Sequence, residues 1–369
     1  MSVERQVLFW ALVLGALGFA LSVLGSTVAP FAAGIALGYL LDPLVGLLER
    51  LGLNRLGAAL IILVVFTAAF IVALVVVAPI LASELIAFVQ KLPGYAMKLQ
   101  ALALEEGSML TYKYLGSWID TLGLRTQFSP DQIQKSIGDF VSQGATWLVN
   151  ALSGLVSGGA AVFNFFSLLV ITPVVAFYIL IDWERMIAAI DGWLPLDHRD
   201  SLRKIAREID RALAGFVRGQ SLVCLFLGLW YGVGLTLVGL DFGFLIGVIA
   251  GFLSFIPFVG SLIALVLSIA VSLVQGWPSL KLFALAMAVV VTGQFLEGNV
   301  ITPRLVGESV GLHPVWLMFA LLAFGQLFGF VGLVIAVPTA AAIGVIARHL
   351  VALYLRSPFY LGAEARGPK

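Results

Sequence analysis

Long apolar runs alternate with short polar links along most of the chain. About 20 apolar residues are enough for a helix to cross the hydrocarbon core of a bilayer. The pattern therefore predicts an all-α, polytopic integral membrane protein. It has about eight hydrophobic segments, at residues 7–25, 31–48, 57–79, 156–181, 219–238, 242–275, 280–296 and 315–352.

Turn and helix-breaking residues set the predicted limits of the first three segments. Ser26 to Pro30 predicts a turn after the first, and Pro79 predicts the end of the third. The second is predicted to end at Asp42-Pro43 or soon after it. Residues 1–79 are therefore interpreted as an N-terminal three-span region.

Residues 80–156 have a different pattern, with charged residues between spaced apolar ones. This spacing indicates amphipathic helices rather than a span. Ser129-Pro130-Asp131-Gln132 is a helix start signal, because it joins an N-cap serine to a proline at the first helical position. We expect a helical extramembrane segment, and a packing or assembly role is favoured over ligand binding.

Beyond the fourth span, residues 157–181, the segment 182–218 predicts an amphipathic helix. Leu202, Ile205 and Ile209 share one face, and arginines and Lys204 occupy the rest. Such a helix lies on a membrane surface, where its arginines favour anionic lipid. A solvated face packed on neighbouring protein is the alternative.

Residues 219–352 form the predicted transport core, because two of its apolar segments are too long for one crossing. A helix over 242–275 would be about 50 Å long, against roughly 30 Å for the bilayer core. Segment 315–352 is also overlong. Glycine and proline interrupt both, which predicts discontinuous or re-entrant helices. The sequence leaves open whether each segment crosses or folds back.

Four glycines recur at intervals of four residues where the first overlong segment begins: Gly239, Gly243, Gly247 and Gly251. Small residues at this spacing let a neighbouring helix approach closely. Tight packing is the favoured interpretation, and a smooth face that permits sliding is the alternative.

Composition supports membrane insertion and excludes several function classes. The chain is 61% hydrophobic and 11% charged, which is far from the composition of soluble domains. A net charge of +1 without basic clusters argues against nucleic-acid binding. The sequence has no GxxxxGK[ST] or HExxH motif. We therefore expect neither an enzyme nor a resident metal or cofactor.

Lysine and arginine residues predict the orientation. Residues 182–218 carry seven, the longer segment 80–156 carries five, and the tail at 353–369 is also basic. By the positive-inside rule the N-terminus, the 182–218 helix and the C-terminal tail are cytoplasmic.

The polar stretch from Gln294 to Pro314 lies between two apolar segments and predicts a substrate or ion site. Ionisable groups so close to hydrocarbon are costly and mark functional sites. Glu297 would titrate or bind a cation, and Arg304 would pair with it or with Glu308. A buried structural ion pair is the alternative for Arg304. The predicted site contains Glu297, Asn299, Gln294, Thr302, Arg304, Ser254, Pro257, Gly260, Gly325 and Gly329.

Several short motifs occur in a characteristic order along nearly the whole chain. They include Tyr39-Leu40-Leu41-Asp42-Pro43, Leu92-Pro93, Phe177 to Asp182, Leu194-Pro195, Gly219-Gln220, Ile256 to Gly260, Glu297-Gly298-Asn299, Pro303, Gly307, Leu312-His313-Pro314, and Gly329 through Gly332-Leu333 to Pro338. With these motifs in this order, the chain resembles the autoinducer-2 exporter (AI-2E) family. The resemblance implies a bacterial inner-membrane transporter, homo-oligomeric and specifically pentameric, that uses ion gradients or downhill flux. It implies no single substrate, since some members are associated with autoinducer-2 export and others with sodium/proton antiport.

The leading hypothesis is a secondary transporter that exports a small polar solute, such as the quorum-sensing signal autoinducer-2, by alternating access. Its expected partners are membrane lipid and the solute, with coupling to Na⁺ or H⁺ and no other cofactor. One alternative is a monovalent cation/proton antiporter. The other is a non-transporting membrane scaffold, in which residues 80–156 and 182–218 bind partners.

Overall fold

The computed structural model describes residues 25–110, 159–196, 199–305 and 311–355, together with 357 and 360. Regular structure in these residues is helical, and the chain is an all-α polytopic membrane protein. Its helices are α1 Gly25–Arg50, α2 Arg55–Leu110, α3 Gly159–Asp191, α4 Arg199–Leu237, α5 Gly243–Leu253, α6 Val259–Gly276, α7 Lys281–Leu296, the π-helical segment Glu297–Ile301, α8 Thr302–Leu305 and α9 Pro314–Leu355.

Seven helical stretches in this part of the chain are long and apolar enough to cross a membrane. They are Pro30–Arg50, Arg55–Tyr95, Ser167–Asp191, Arg199–Leu237, Val259–Gly276, Lys281–Leu305 and Val331–Leu355. Many of their large apolar side chains, such as Val64 and Val75, are exposed. Lipid accommodates such surfaces and water does not. The first predicted span, 7–25, lies almost wholly outside the described residues.

Two predicted helix ends are wrong. Ser26 to Pro30 lies within α1, and α2 continues through Pro79 and Pro93. Helix α1 passes through Pro43 and ends soon after it, at Arg50. A proline inside a helix removes one hydrogen bond, but membrane helices tolerate it because neighbouring groups and local adjustments satisfy the freed carbonyl. The sequence overestimated proline as a terminator.

The predicted surface helix and the fifth span are one helix. Helix α3 continues past Asp182 to Asp191, a turn follows, and α4 then runs without interruption through Gly219-Gln220. The helix start predicted at Ser129 lies outside the described residues. The proposed division at 1–79, 80–156, 157–181, 182–218, 219–352 and 353–369 stays a prediction.

The chain forms two compact units. The first comprises the described parts of residues 1–69, 164–223 and 299–369, and the second those of 70–163 and 224–298. Each unit is described by itself below.

The first unit has its core where α1, the start of α2 and α3 meet. Buried side chains there include Leu41, Val45, Ala58, Ala59, Leu63, Ala176 and Leu180. A Cβ at Gly38 would lie only 2.7 Å from the side chain of Ile179. Small residues therefore bring α1 and α3 together, as is usual where lipid supplies no hydrophobic drive for association.

Arg55 joins the three helices at one end of this core. Its Nε donates to the carbonyl oxygen of Leu180 at 2.7 Å. Its terminal nitrogens lie 3.7 Å from both Asp42 and Glu49 and 3.8 Å from Glu184. One side chain thereby satisfies a carbonyl and contacts three carboxylates.

In the second unit the glycine ladder packs directly on α4. A Cβ at Gly243 would lie 2.7 Å from the backbone of Leu235, and Cβ atoms at Gly247 and Gly251 would collide with the backbones of Gly232 and Gly228. Tight packing is thus confirmed for these three. Gly239 is different: it precedes α5, has φ +81°, and a Cβ added there would have no neighbour within 4 Å.

The first overlong segment folds back as a hairpin, named the first hairpin, which comprises α5, the tip Ser254 to Phe258, and α6. Gln275 at the end of α6 accepts from the N–H of Asp241 and donates to the carbonyl of Gly239, both at 2.8 Å. The 11-residue α5 is about 16 Å long, roughly half the bilayer core. Because Gln275 binds Gly239 and Asp241, the first and last residues of this segment lie together at the base of the hairpin.

The second overlong segment also folds back, at Gly329 of α9, where φ is 60° and ψ is −139°. A Cβ at Gly325 would lie 2.8 Å from Leu333, and one at Gly344 would lie 2.7 Å from Leu312. In a continuous helix, residues eight apart are separated by about 12 Å. The two arms, Pro314–Gly329 and Val331–Leu355, are therefore antiparallel, and we name them the second hairpin.

One face of α2 contacts the base of the first hairpin. Glu84, Phe88, Lys91 and Tyr95 recur at helical spacing. Glu84 accepts from the N–H of Leu245 at 2.8 Å, at the positive end of α5. Phe88 meets Phe242 edge-to-face at 5.2 Å. Lys91 and Tyr95 both donate to Asp241, at 2.8 and 2.9 Å.

These contacts set the acidity of Asp241, which lies between α4 and α5. Partial burial raises the pKa of this carboxyl, but the hydrogen bonds from Lys91 and Tyr95 and the charge of Lys91 outweigh it. The net pKa lies below its usual value. The ionised form is therefore the one that holds α2 to the hairpin base.

We expect Asp241→Asn to lower the free energy of unfolding by about 1 kcal/mol at pH 7, since it removes a charge-assisted contact of moderate exposure. A carboxyl whose pKa is lowered by folding stabilises above its unfolded pKa of about 3.9 and loses that effect as pH falls. The difference should therefore begin to shrink below about pH 4 and continue to shrink as pH falls through the lower folded-state pKa. Thermal unfolding of both purified proteins between pH 7 and pH 3 measures it.

Lys98→Met removes an exposed lysine of α2 and serves as the control, with no expected change. Lys91→Met should reproduce the loss seen with Asp241→Asn. A difference as large at pH 3 as at pH 7 would contradict the role of the ionised carboxylate.

Candidate functional site

The polar stretch begins where α7 changes its winding. Helix α7 ends at Leu296, and Glu297 opens the π-helical segment Glu297–Ile301, which is followed by α8. A π-turn is rare and occurs frequently at functional sites. Glu297 is half-buried at the start of this widened turn.

Helix α7 packs on α4 within the second unit. The Trp230 indole Nε1 donates to the carbonyl of Val289 at 3.0 Å. A Cβ at Gly234 would lie 2.7 Å from Val289, and one at Gly293 would collide with the Tyr231 ring. Because later residues of α4 meet earlier residues of α7, the helices are antiparallel. The same register places Glu297 near the stretch of α4 from Cys224 to Tyr231.

Tyr231 is the polar group that stands out beside Glu297. It is 0% exposed, and its hydroxyl has no hydrogen-bond partner among the described residues. Glu297 acts electrostatically on both Tyr231 and Cys224. Within the described part of the second unit, Glu297 forms no ion pair. A carboxylate and a phenol with unused hydrogen-bonding capacity thus lie close together.

These groups suit a polar ligand of low charge. A carboxylate accepts hydrogen bonds or binds a cation or proton, a phenol donates and accepts, and Gln294, one turn before Glu297, carries an amide. A buried hydroxyl without a partner costs roughly 1–3 kcal/mol. A ligand that uses it recovers that free energy.

The tip of the first hairpin carries three of the predicted residues. Ser254 is buried, and its hydroxyl donates to the carbonyl of Ala250 at 2.7 Å. Gly260 is packed so closely that a Cβ there would collide with Ser254 and Ala250. Pro257 lies between them, beside the exposed Phe258, whose φ of 69° is unusual for a non-glycine residue. The tip is therefore closely packed and has an exposed aromatic residue.

The tip of the second hairpin carries Gly325 and Gly329. Gly325 packs against Leu333, whereas Gly329 is exposed and makes the turn itself. The neighbouring Leu327 and Phe328 are exposed. Both tips thus combine a broken helix with exposed apolar side chains.

The structure groups the predicted site residues into three places. Gln294 and Glu297 lie on α7 and its continuation, where Asn299, Thr302 and the exposed Arg304 follow along the chain. Ser254, Pro257 and Gly260 lie at the first tip, and Gly325 and Gly329 at the second. That the tips and the polar stretch form one site stays a prediction. Glu308 lies outside the described residues.

Sequence reasoning missed Tyr231. A single tyrosine in an apolar segment is ordinarily a core or interfacial residue, and nothing in its own neighbourhood points to Glu297, 66 positions later. The available signal was Gly293, one turn before Glu297, which leaves room for an aromatic ring. No cluster of three or more His, Cys, Asp or Glu side chains occurs within the described ranges.

Comparison with known proteins identifies similar membrane proteins. Residues 7–352 match the family model described as AI-2E family transporter. YrrI of Bacillus subtilis (strain 168), provisionally named a transport protein, is 30% identical over 320 residues, which cover 87% of this chain and 85% of YrrI. PerM of Escherichia coli (strain K12), provisionally named a permease, is 28% identical over 317 residues, 85% of each chain.

We expect Tyr231→Phe to leave thermal stability unchanged or to raise it by up to about 1 kcal/mol, because it removes a buried hydroxyl that has no partner among the described residues. Trp230→Phe is the matched control on the same helix. It breaks the hydrogen bond to Val289 and should lower stability by about 1 kcal/mol. Thermal unfolding of both variants in detergent measures this, and a clear loss with Tyr231→Phe would assign the hydroxyl a structural partner.

We expect Gly329→Ala to destabilise the protein by about 1–3 kcal/mol, because its backbone conformation is almost restricted to glycine. Gly46→Ala in α1 is the control. It has no neighbour within 4 Å of an added Cβ, and its expected effect is neutral to slightly stabilising. Equal unfolding midpoints for Gly329→Ala and wild type would contradict the turn at this position.

Proposed function

The chain belongs to the AI-2E transporter family, and we propose that this membrane transporter exports a small polar solute, such as autoinducer-2, by alternating access. The observation that carries the proposal is the half-buried carboxylate of Glu297, at a π-helical interruption and beside the buried hydroxyl of Tyr231. The relatives' provisional names, transport protein and permease, agree with a transport role.

Glu297 is proposed to couple transport to Na⁺ or H⁺. A carboxylate near the middle of a membrane helix is costly when charged and unpaired. Binding a proton, a cation or a solute hydroxyl each lowers that cost. Its state would therefore change as the site opens to either side of the membrane, which is the requirement for coupling.

The solute class follows from the polar groups that would line the site. Tyr231, Gln294, Asn299 and Thr302 offer neutral donors and acceptors, and Glu297 supplies one negative charge or, when protonated, another donor. Such a set suits a small molecule with several hydroxyl groups and no strong negative charge. Autoinducer-2 is a molecule of that kind.

The two hairpins are proposed to be the gates. The base of the first is tied by Gln275, and near the base of the second Arg348 donates to the carbonyl of Gly311 at 3.0 Å. Tied bases leave the tips at Ser254–Gly260 and Gly325–Gly329 as the parts able to move. Interrupted helices whose tips meet at a central site are common in secondary transporters.

A monovalent cation/proton antiporter is the second candidate, and it is favoured by the missing ion pair at Glu297 in the described part of its own unit. The scaffold alternative lacks such an observation. We further propose an inner-membrane location with cytoplasmic termini, and a homo-oligomeric, specifically pentameric, assembly.

The test is solute and ion flux in vesicles containing purified protein, under imposed Na⁺ and pH gradients, with and without autoinducer-2. We expect Glu297→Gln to lower the coupled flux at least tenfold, because the amide cannot change charge, while the unfolding midpoint stays close to that of wild type. Tyr231→Phe should weaken solute affinity without removing coupling.

Asp200→Asn is the control, because it neutralises a fully exposed carboxylate in the first unit and should not alter flux. Ion exchange that needs Glu297 but no solute would replace export by antiport. Wild-type vesicles without flux of solute or ion would reject transport of either kind.

A further inference from the structure

Two neighbouring cavities lie in the first unit, where the end of α3 and the start of α4 pack together. One, of about 400 Å³, is lined by polar and apolar groups in similar measure, and we name it the polar cavity for Tyr39, Asp42 and Arg218 among them. The other is a groove of about 560 Å³. Trp183 and Asp210 line both, so the two cavities share a wall.

The polar cavity is held in shape by contacts between α1 and α4. The Tyr39 hydroxyl donates to Asp210 at 2.7 Å. Arg218 donates through Nε to the carbonyl of Tyr39 at 2.7 Å and approaches Asp42 at 3.3 Å. The Tyr39 ring packs edge-to-face on Trp183 at 5.8 Å. These groups are pre-organised before any ligand binds.

The groove has apolar walls and a fixed end. Ile187, Ile190 and Leu194 of α3 and the following turn face Ala206 of α4. Across the end, Asp191 accepts hydrogen bonds from both Arg199 and Arg203. Those ion pairs hold α3 and α4 together at the turn, so the groove does not depend on a ligand to form.

Two arginines that line the cavities can bind an anionic group. Arg207 lines the groove, and Arg211, one turn later, lines the polar cavity. Among the described residues neither forms an ion pair; Arg207 donates only to the carbonyl of Arg203 in its own helix. Residues four apart share a helix face. Their guanidinium groups can therefore meet one phosphate between the two cavities.

The surroundings of the groove indicate lipid rather than water. On the turn between α3 and α4, Trp193 is 81% exposed and Leu196 is 82% exposed. Ile187 and Ile190 of the groove wall are also substantially exposed. An exposed tryptophan among aliphatic side chains is typical of the membrane interface.

We propose that these cavities bind one anionic phospholipid of the surrounding bilayer. Its phosphate lies between Arg207 and Arg211, its polar headgroup enters the cavity of Tyr39 and Asp210, and an acyl chain fills the groove beside Ile187 and Ala206. The cavities match a phospholipid in shape and in charge. A phospholipid has a polar headgroup next to an apolar chain, and here a cavity with polar groups lies next to an apolar groove. Arg207 and Arg211, which form no ion pair among the described residues, lie where the two meet. The bound lipid bridges α1, α3 and α4, and the inference does not depend on the proposed transport activity.

The experiment is native mass spectrometry of the purified protein, titrated with phosphatidylglycerol or with phosphatidylcholine of the same acyl chains. We expect wild type to bind phosphatidylglycerol at least tenfold more tightly. The double variant Arg207→Gln/Arg211→Gln should lose that preference. The matched control Arg185→Gln/Lys204→Gln, which removes two nearby positive charges that line neither cavity, should keep it.

A second variant tests the acyl-chain groove with the arginines intact. Ala206→Trp fills the groove and should weaken phosphatidylglycerol binding at least tenfold, while circular dichroism stays like that of wild type. Glycerol 3-phosphate, the headgroup fragment without acyl chains, should not compete at equal concentration. Equal binding of the two lipids by wild type, equal loss in the control double variant, or full competition by glycerol 3-phosphate would each overturn the proposal.

Discussion

A break in a membrane helix leaves backbone donors and acceptors that lipid cannot satisfy, so breaks are tolerated only where protein or water covers them. The described chain has three such breaks, at Ser254 to Phe258, at Glu297–Ile301 and at Gly329. Each has a local solution. Ser254 returns its hydroxyl to the carbonyl of Ala250, the π-turn retains hydrogen bonds one residue further along, and Gly329 adopts a conformation open to glycine. The fold is organised around these exceptions, and all of them fall in the second half of the chain.

Glycine determines how the remaining helices pack. Lipid is as apolar as leucine, so helices associate through close contact rather than through loss of exposed apolar area. The α4–α5 contact illustrates this, because Gly247 and Gly251 leave no space for a side chain against Gly232 and Gly228. The α4–α7 contact uses the same device at Gly293, but there the neighbour is the ring of Tyr231. One packing rule thereby also brings a phenol beside Glu297.

The sequence predicted those features that depend on local chemistry. An apolar run longer than the bilayer with glycine and proline in its middle has to bend, and both hairpins bend within the predicted intervals. Predictions failed where a distant partner decides the outcome. Pro79 does not end α2, and the helix runs on to the base of the first hairpin. Tyr231 and Glu297 are neighbours only through the α4–α7 register, as are Tyr39 and Asp210 through the packing of α1 on α4. A single sequence contains no record of such registers.

The contacts between α2 and the base of the first hairpin limit how this hairpin can move. Glu84, Lys91 and Tyr95 all bind its base, and Gln275 closes that base from the other arm. Movement of the whole hairpin relative to α2 would break three hydrogen bonds, two of them with the ionised Asp241. The glycine contacts with α4 add to the same restraint, since a sliding face would need space that Gly247 and Gly251 do not have. These contacts restrain the first hairpin at its base, so the gate proposed above would have to move at Ser254 to Phe258.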